Sequence, residues 1–521
     1  MRLLTFGFCM MLSHFFAQNI NLSGGLIFEG EPFIALNPND NQHLVVAWMG
    51  FKLGEKVVIK TKVSFNGGQT WSAISSLPHL IPTNNSADPS VRFDNNGNVF
   101  VCFVDYDNEN FLNGSIVVVK SSNGGISWQT PLEALNINQC PNQLCIDRPW
   151  MVIDNSGLSL DGTIYITTMP AGQPLIVTPP YHPYLVVSTD SGNSFGDVRF
   201  LDTTNYLSGS LIDKPMPTPT VSSDGRFLAV YSSYVVSQSV FAQNFLVSSD
   251  NGGVSLTHSL VNQASQGFSE TSTKKGPLLI ASKNNPSHNA FLQLSETEGD
   301  LDVFLMETFD AGISWSGMIR VNDDQIGNGV LQDLVWADFN ESGDLVVCWR
   351  DRRNGGIGFE SDSDIYAAVK FNGSSVFSAN FAVTDITVQH DASLANSGND
   401  FMSVVFSGDT IHAVWGDVRN EVINIFYNKM SVLDPVVNIS SISHSDWSLK
   451  SIYPNPTEQF IYLDDQFVGY KYQIISSDGK VLENGVLTTN GFSVADLDSG
   501  KFMVVIESKN KLFSYSFVKT N

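Results

Sequence analysis

The octapeptide Ser64-Phe65-Asn66-Gly67-Gly68-Gln69-Thr70-Trp71 decides the fold of this chain, because copies of it recur along the sequence. Its pattern is Ser-x-Asp/Asn-x-Gly-x-Ser/Thr-Trp. Further copies occupy residues 121–128, 188–195, 248–255 and 308–315, so the five starts are 57, 67, 60 and 60 residues apart. An Asp or Asn side chain bonds nearby backbone N–H groups, and Gly accepts a positive φ, so each copy predicts a tight hairpin turn above a packed aromatic ring.

A second repeat lies between these turns. It is a turn rich in Asn, Asp and Gly followed by an apolar run, and its seven copies are residues 43–48, 98–103, 163–168, 226–231, 289–294, 344–349 and 410–415. A run such as Val99-Phe100-Val101-Cys102-Phe103 does not alternate polar and apolar residues, which predicts strands covered on both faces. A repeat of about 60 residues holds about four short strands, the size of one propeller blade.

These repeats predict an all-β chain with a seven-bladed β-propeller, and six blades is the alternative because the copy around Phe291 is weak. The charged fraction of 15%, against about 25% in typical soluble domains, also favours strands over helices. The last repeat stops one strand short. We therefore expect residues 20–28 to supply the missing strand and close the ring, since an unpaired edge is costly.

The octapeptide resembles the Asp box, or BNR repeat, of sialidases, and the resemblance covers residues 31–430. It implies a sialidase-like propeller; sialidases themselves have six blades. It also implies that the box residues hold turns far from the ligand face. These residues are Asn66, Gly68, Trp71, Asn123, Gly125, Trp128, Asp190, Gly192, Asp250, Gly252, Asp310, Gly312 and Trp315.

The net charge of −24 excludes nucleic acid and anionic membranes as partners, because both polyanions would be repelled, and it favours cations, Ca²⁺ included, as small companions. Residues 1–17 read as a signal peptide cleaved after Ala17, which predicts export and removes Cys9. No later stretch is long and apolar enough to span a bilayer. In an oxidising compartment Cys140 and Cys145 are close enough to form a disulfide, whereas Cys102 and Cys348 read as buried thiols.

The C-terminal segment differs in composition from the repeats. A polar linker over residues 433–449 leads to Ser451-Ile452-Tyr453-Pro454-Asn455-Pro456, and the segments at 474–480, 497–502 and 517–519 follow. This order resembles the type A sorting domain of the type IX secretion system, a small β-sandwich, over residues 450–521. The resemblance implies passage through the periplasm, recognition by the type IX machinery, and release or attachment at the outer cell surface. An ordinary adhesive β-sandwich is the alternative.

Candidate ligand residues lie where each first blade strand begins, because these loops converge on one mouth of the central channel. An acidic residue near a Pro recurs there, and the candidates are Glu31, Asp88, Asp147, Arg148, Trp150, Asp213, Lys214, Asp333 and Asp400. A ring of carboxylates could bind Ca²⁺ or sugar hydroxyls, or it could cap backbone N–H groups at the strand starts.

Two segments share the pattern Trp-x-Asp-x-Arg, residues 349–353 and 415–419. They predict either a surface that grips an acidic sugar or an Asp–Arg pair inside one blade, and recurrence at one blade position favours the pair.

The sialidase resemblance also implies three arginines, a Tyr nucleophile with a Glu partner, and an Asp acid. Where the first arginine belongs, this chain reads Gly30-Glu31-Pro32-Phe33, so no sialidase catalytic residue is assigned. The sequence leaves open a secreted propeller that binds glycans or proteins, an exo-acting glycoside hydrolase of sialidase type, and a structural adhesin.

Overall fold

The computed structural model describes residues 19–53, 56–107, 113–140, 143–171, 177–212, 214–264, 276–394, 398–432, 452–463, 467–476, 481–508 and 511–520. The predicted signal peptide, the predicted linker and Asp213 lie outside these ranges. The chain divides into two compact units, residues 1–438 and 439–521, and each is described by itself.

The first unit is all-β, as its composition and repeats predict, and the described part of residues 20–431 forms seven four-stranded antiparallel sheets. The first four consist of β2–β5 (Glu29–Asn37, Asp40–Lys52, Lys56–Ser64, Ser75–Ser76), β6–β9 (Asn85–Phe93, Val99–Tyr106, Ser115–Ser121, Leu132–Asn136), β10–β13 (Asp147–Ile153, Ile164–Met169, Tyr184–Ser188, Arg199–Phe200) and β14–β17 (Thr218–Val221, Phe227–Ser233, Gln243–Ser249, Thr257–Gln263). The last three consist of β18–β21 (Leu278–Ala281, Asn289–Thr297, Asp300–Thr308, Ile319–Arg320), β22–β25 (Gln332–Phe339, Leu345–Asp351, Asp364–Lys370, Phe381–Ala382), and β26–β28 (Ser403–Ser407, Thr410–Asp417, Asn424–Ser431) together with β1 (Ile20–Asn21).

The first strands of the sheets form a closed ring. Contacts join β2 to β6, β6 to β10, β10 to β14, β14 to β18, β18 to β22, β22 to β26, and β26 back to β2. The ring closes through the N-terminal strand: Ile20 pairs with Tyr427 and Asn21 with Phe426, antiparallel to β28. The closing strand expected within residues 20–28 is therefore present, and the last sheet gains the strand that its own repeat lacks.

The second strands are buried on both faces, as the unbroken apolar runs predict. Every residue of β7 except Tyr106 is buried, and the rings of Trp48, Trp349 and Trp415 are among the largest fully buried side chains. Neighbouring sheets therefore cover each other's apolar faces. Burial between sheets, at about 25 cal/mol per Å² of apolar surface, is the main stabilising contribution to such a ring.

The Asp-box turns connect the third and fourth strands of the first five sheets. In the first turn, the Ser64 hydroxyl accepts from Gly68 N at 2.9 Å, and Asn66 Oδ1 accepts from Thr70 N at 2.9 Å. The turns that begin at residues 121, 188 and 308 repeat this pair of bonds. The Trp71 ring lies 5.1 Å from the Tyr427 ring of the neighbouring sheet, so a box also ties two sheets together.

The fourth box is shifted by one residue from the predicted register. Ser249 Oγ accepts from Gly253 N at 2.9 Å, and Asn251 Oδ1 accepts from Ser255 N at 3.0 Å. The box therefore begins at 249, not 248, and Asn251 and Gly253 take the roles predicted for Asp250 and Gly252. Asp250 instead accepts from Arg226 Nε at 2.8 Å on the surface.

A disulfide joins Cys140 to Cys145, whose Cα atoms are 6.0 Å apart, after the short 3₁₀ helix Ile137–Gln139. It closes the loop that leads into β10. Cys102 and Cys348 are free and buried inside their strands. A second 3₁₀ helix, Ala392–Leu394, precedes the last sheet.

The second unit is a small two-sheet structure with its own core. Its strands are β29 (Phe460–Tyr462), β30 (Lys471–Ser476), β31 (Val481–Val486), β32 (Gly491–Ser493), β33 (Gly500–Ser508) and β34 (Lys511–Lys519). One sheet has the order β31-β30-β33-β34, and the other pairs β29 with β32. Ile461, Ile474, Val504 and Phe517 pack between them, the arrangement of a β-sandwich.

Candidate functional site

The strand-start mouth is the end of the channel at which β2, β6, β10, β14, β18, β22 and β26 begin. A bulge residue with φ between +46° and +58° occurs near the start of five of these strands, and the five are Glu31, Asp88, Arg148, Met216 and Leu334. In the sheets of Glu31, Asp88, Arg148 and Leu334 the strand register shifts at this point. The first four residues precede Pro, which disfavours this conformation, so the backbone is strained where the side chains meet the channel.

The bulge shows which residues occupy the same position in each first strand, and these differ from the residues that the sequence had matched. Asp147 and Asp333 each lie one position before the bulge, whereas Arg148 and Leu334 are the equivalents of Glu31 and Asp88. The residue before Pro, rather than the nearest acid, is the signal that would have found Met216; Arg148 was already a candidate.

Glu31, Asp88 and Asp147 form a carboxyl cluster at the mouth, with Asp88 bonded to both neighbours. Burial, followed by the charge of Asp88, raises the pKa of Asp147 to about 8. Burial and Asp88 likewise raise the pKa of Glu31 well above its usual range. At neutral pH the protonated Asp147 therefore offers an O–H donor beside the acceptor oxygens of its neighbours, a combination that can hydrogen-bond sugar hydroxyls.

Arg148 connects this cluster to the last sheet. Its Nη2 lies 2.5 Å from Asp400 Oδ2, its Nη1 lies 2.9 Å from Met216 Sδ, and its backbone N donates to Asp88 Oδ2 at 3.2 Å. Burial alone would lower the pKa of Arg148. The negative charges of Asp400 and of the three clustered acids together outweigh this effect, so the pKa of Arg148 is raised above its usual value. Residues from five sheets, or from the loops that lead into them, thus meet at Arg148.

Trp150 lies beneath the mouth, not on its surface. It is 7% exposed and belongs to an aromatic layer across the channel, in which its ring is 5.7 Å from Trp336 and 6.2 Å from Phe401. Phe33 packs edge-on against Trp336 at 5.1 Å. Within the described residues, the space between Arg148, Asp400 and this layer is about 20 Å³, close to the volume that one water needs.

Asp333, expected at the mouth, is fully buried. Arg350 donates to both its oxygens at 2.7 and 2.6 Å, and Arg352 donates to Oδ1 at 3.2 Å. Two buried guanidinium groups compensate the charge of Asp333, which explains why this carboxylate can be fully buried. Lys214 is exposed near Asp147.

The two Trp-x-Asp-x-Arg segments form pairs inside their own sheets. Trp349 Nε1 and Arg353 Nη2 donate to Asp351 Oδ2 at 2.7 and 2.9 Å. In the last sheet, Arg419 Nη2 donates to Asp417 Oδ2 at 2.7 Å, and Trp415 Nε1 donates to the same oxygen at 3.2 Å. These arginines hold the sheets and are not free to grip a ligand carboxylate.

Tyr106 is a mouth residue that sequence spacing did not reveal. It ends β7, and burial together with the charges of Asp88 and Glu31 raises its pKa. It lies between Asp105 and Asp107 at the end of a buried strand, and no spacing in the sequence related it to Glu31 or Asp88. In the described part of the chain, no group of three or more His, Cys, Asp or Glu side chains is arranged to hold a metal ion. The Ca²⁺ prediction thus stays a prediction.

Comparison with known proteins identifies the C-terminal unit. Residues 451–520 match the family of secretion system C-terminal sorting domains. This segment is a type IX secretion sorting domain, which indicates secretion or attachment at the cell surface. None of the helices in the described ranges has the length and hydropathy of a membrane span.

Solved structures similar to the chain include three with low identity. A protein of unknown function from Dyadobacter fermentans is 14% identical with a TM-score of 0.40, covering 68% of this chain and 99% of its own. The GH93 α-L-arabinofuranosidase of Fusarium graminearum is 11% identical with a TM-score of 0.42, covering 80% and 98%. The NanB sialidase from Streptococcus pneumoniae is 12% identical with a TM-score of 0.40, covering 80% and 71%. No curated protein sequence matches the chain.

Proposed function

We propose that this exported propeller binds extracellular glycans at the strand-start mouth. The observation that carries the proposal is the convergence of Glu31, Asp88, Asp147, Arg148 and Asp400 from four sheets on one opening. Strained backbone at three of these residues is typical of functional sites.

The charges favour a neutral or amino sugar over an acidic one. Arg148 is the arginine that reaches the mouth within the described residues, and Asp400 already neutralises it. A sialic acid carboxylate would meet Asp88 and Asp400 without a free guanidinium to offset the repulsion, which at an effective dielectric of 20 is about 4 kcal/mol for a pair 4 Å apart.

The small volume beneath the mouth favours recognition at the surface. An exo-acting glycosidase encloses a terminal sugar, and ligand pockets of that kind are about 300–1,000 Å³. The space of about 20 Å³ above the aromatic layer is far smaller.

A glycan array with the purified protein tests the proposal. The expected result is binding to neutral or amino glycans, at least about ten-fold weaker in Arg148→Met, because loss of the guanidinium leaves the buried acids uncompensated. Arg199→Met, on an exposed outer strand, is the matched control. Absence of any glycan signal, or full binding by Arg148→Met, would count against the proposal.

Glycoside hydrolysis is a second candidate, favoured by the raised pKa of Asp147 beside Asp88 and by Tyr106 near Glu31. A panel of fluorogenic glycosides, sialosides and arabinofuranosides included, decides between the two. Turnover that is lost in Tyr106→Phe and Asp147→Asn would support the enzyme. If the protein binds glycans on the array but turns over none of these substrates, the result supports the binding function.

A further inference from the structure

The strand-end mouth is the opposite end of the channel, below the aromatic layer, and it opens into a cavity of about 1020 Å³. The cavity is lined by the ends of the first strands and by the turns that follow them. It has the size of a small-molecule site, whereas the strand-start mouth has not.

One layer of this cavity comes from equivalent positions of five first strands. Ala35, Arg92, Val152, Thr220 and Asp338 each lie four residues after a bulge residue, and all five line the cavity. Arg92 therefore has the small apolar Ala35 on one side and Val152 on the other. The only carboxylate in this layer is on Asp338.

Asp338 is already engaged by other groups. Its Oδ2 lies 3.0 Å from Lys283 Nζ and accepts from Phe406 N at 2.8 Å. Glu341, also at the cavity, accepts from Gly408 N at 2.9 Å. Both acids thus have other partners. The charge of Asp338 also acts on Arg92, but no ion pair joins these two side chains within the described residues.

The Arg92 guanidinium lacks an ion pair within the described residues. Its Nη1 donates to the Val91 carbonyl at 2.9 Å, and the group lies 4.4 Å from the centroid of the Phe33 ring. Burial lowers the pKa of Arg92 to about 10, although the charge of Asp338 opposes this shift, and the group stays charged at neutral pH. A partly desolvated guanidinium without a directly contacting carboxylate is costly.

We propose that the strand-end cavity binds a small ligand bearing an oxyanion, a carboxylate, phosphate or sulfate, and that Arg92 grips it. The planar fork of the guanidinium pairs with two oxygens of such a group, and the Phe33 ring fixes the plane of the fork. The site is independent of the glycan site, because the layer of Phe33, Trp150, Trp336 and Phe401 lies between them.

Calorimetric titration of the full exported chain tests the proposal. Sodium phosphate, sodium sulfate and sodium glucuronate are the probes, and sodium chloride at equal ionic strength is the blank; the three arms distinguish the oxyanions. We expect saturable one-to-one binding of at least one probe, weakened at least about ten-fold in Arg92→Met and unchanged in Arg199→Met.

Arg92→Lys keeps the positive charge but removes the planar guanidinium group. It therefore distinguishes bidentate hydrogen bonding to the oxyanion from electrostatic attraction alone. We expect it to fold and to lose about three- to ten-fold in affinity. If Arg92→Met does not fold, Arg92→Lys decides. Failure of all three probes to bind the wild-type chain, or wild-type affinity in Arg92→Met or Arg92→Lys, would overturn the proposal.

Discussion

The carboxyl cluster predicts a stability that falls as the pH rises. In the folded chain Asp147 keeps its proton up to a pH of about 8, because burial and Asp88 oppose ionisation, whereas the unfolded chain releases it near the ordinary value of 3.8. Between these values the unfolded state binds one proton fewer, so the free energy of unfolding decreases by about 1.4 kcal/mol per pH unit. From pH 5 to pH 7 the loss from Asp147 is therefore about 2.7 kcal/mol.

The substitution Asp147→Asn removes this titration while keeping a side chain of the same shape. Urea unfolding at pH 5, 6 and 7 measures the difference between the two chains. Between pH 5 and pH 7 we expect the free energy of unfolding of the variant to rise by about 1–3 kcal/mol relative to that of wild type. The exposed Asp197→Asn is the matched control for a carboxylate-to-amide change. Parallel pH profiles for wild type and Asp147→Asn would show that Asp147 does not hold its proton in the folded chain.

Three further variants test the fold. Asn123→Ala removes three hydrogen bonds of the second Asp-box turn and should lower the free energy of unfolding by about 1–2 kcal/mol without affecting glycan binding; equal urea midpoints would contradict its role. Opening the disulfide with Cys140→Ser and Cys145→Ser should cost about 2 kcal/mol for so short a loop and make thermal unfolding insensitive to reductant. Gly68→Ala would place a Cβ 1.8 Å from Tyr427 Oη at a φ of +80°, so we expect a loss of about 2–4 kcal/mol by urea unfolding, and a neutral change would disprove the close packing.

Most of the fold could be predicted from the sequence because it follows from local, repeated chemistry. The Ser, Asp or Asn, and Gly of each box make bonds within one turn, so the pattern alone indicates the turn. The fourth box shows the limit of this reasoning: Ser248 and Ser249 both offer a hydroxyl, and only the bonds to Gly253 and Ser255 decide the register.

The site was harder to predict because it depends on contacts across the ring. Arg148 and Asp400 are far apart in sequence, yet they form an ion pair at the mouth. Asp333 is an aspartate like several other candidates, but it is buried in an ion pair with Arg350 of the neighbouring strand. The unpaired state of Arg92 depends on what its neighbours are bonded to, and no sequence pattern carries that information.

The most direct test of the glycan site is to titrate the glycan captured on the array into wild type, Asp88→Asn and Arg92→Met. Asp88 bonds both neighbours in the cluster at the strand-start mouth, whereas Arg92 lies beyond the aromatic layer. We expect at least about a ten-fold loss of affinity in Asp88→Asn, from the loss of one hydrogen bond worth about 1.4 kcal/mol or more, and unchanged affinity in Arg92→Met. Unchanged affinity in Asp88→Asn, or a loss confined to Arg92→Met, would contradict it.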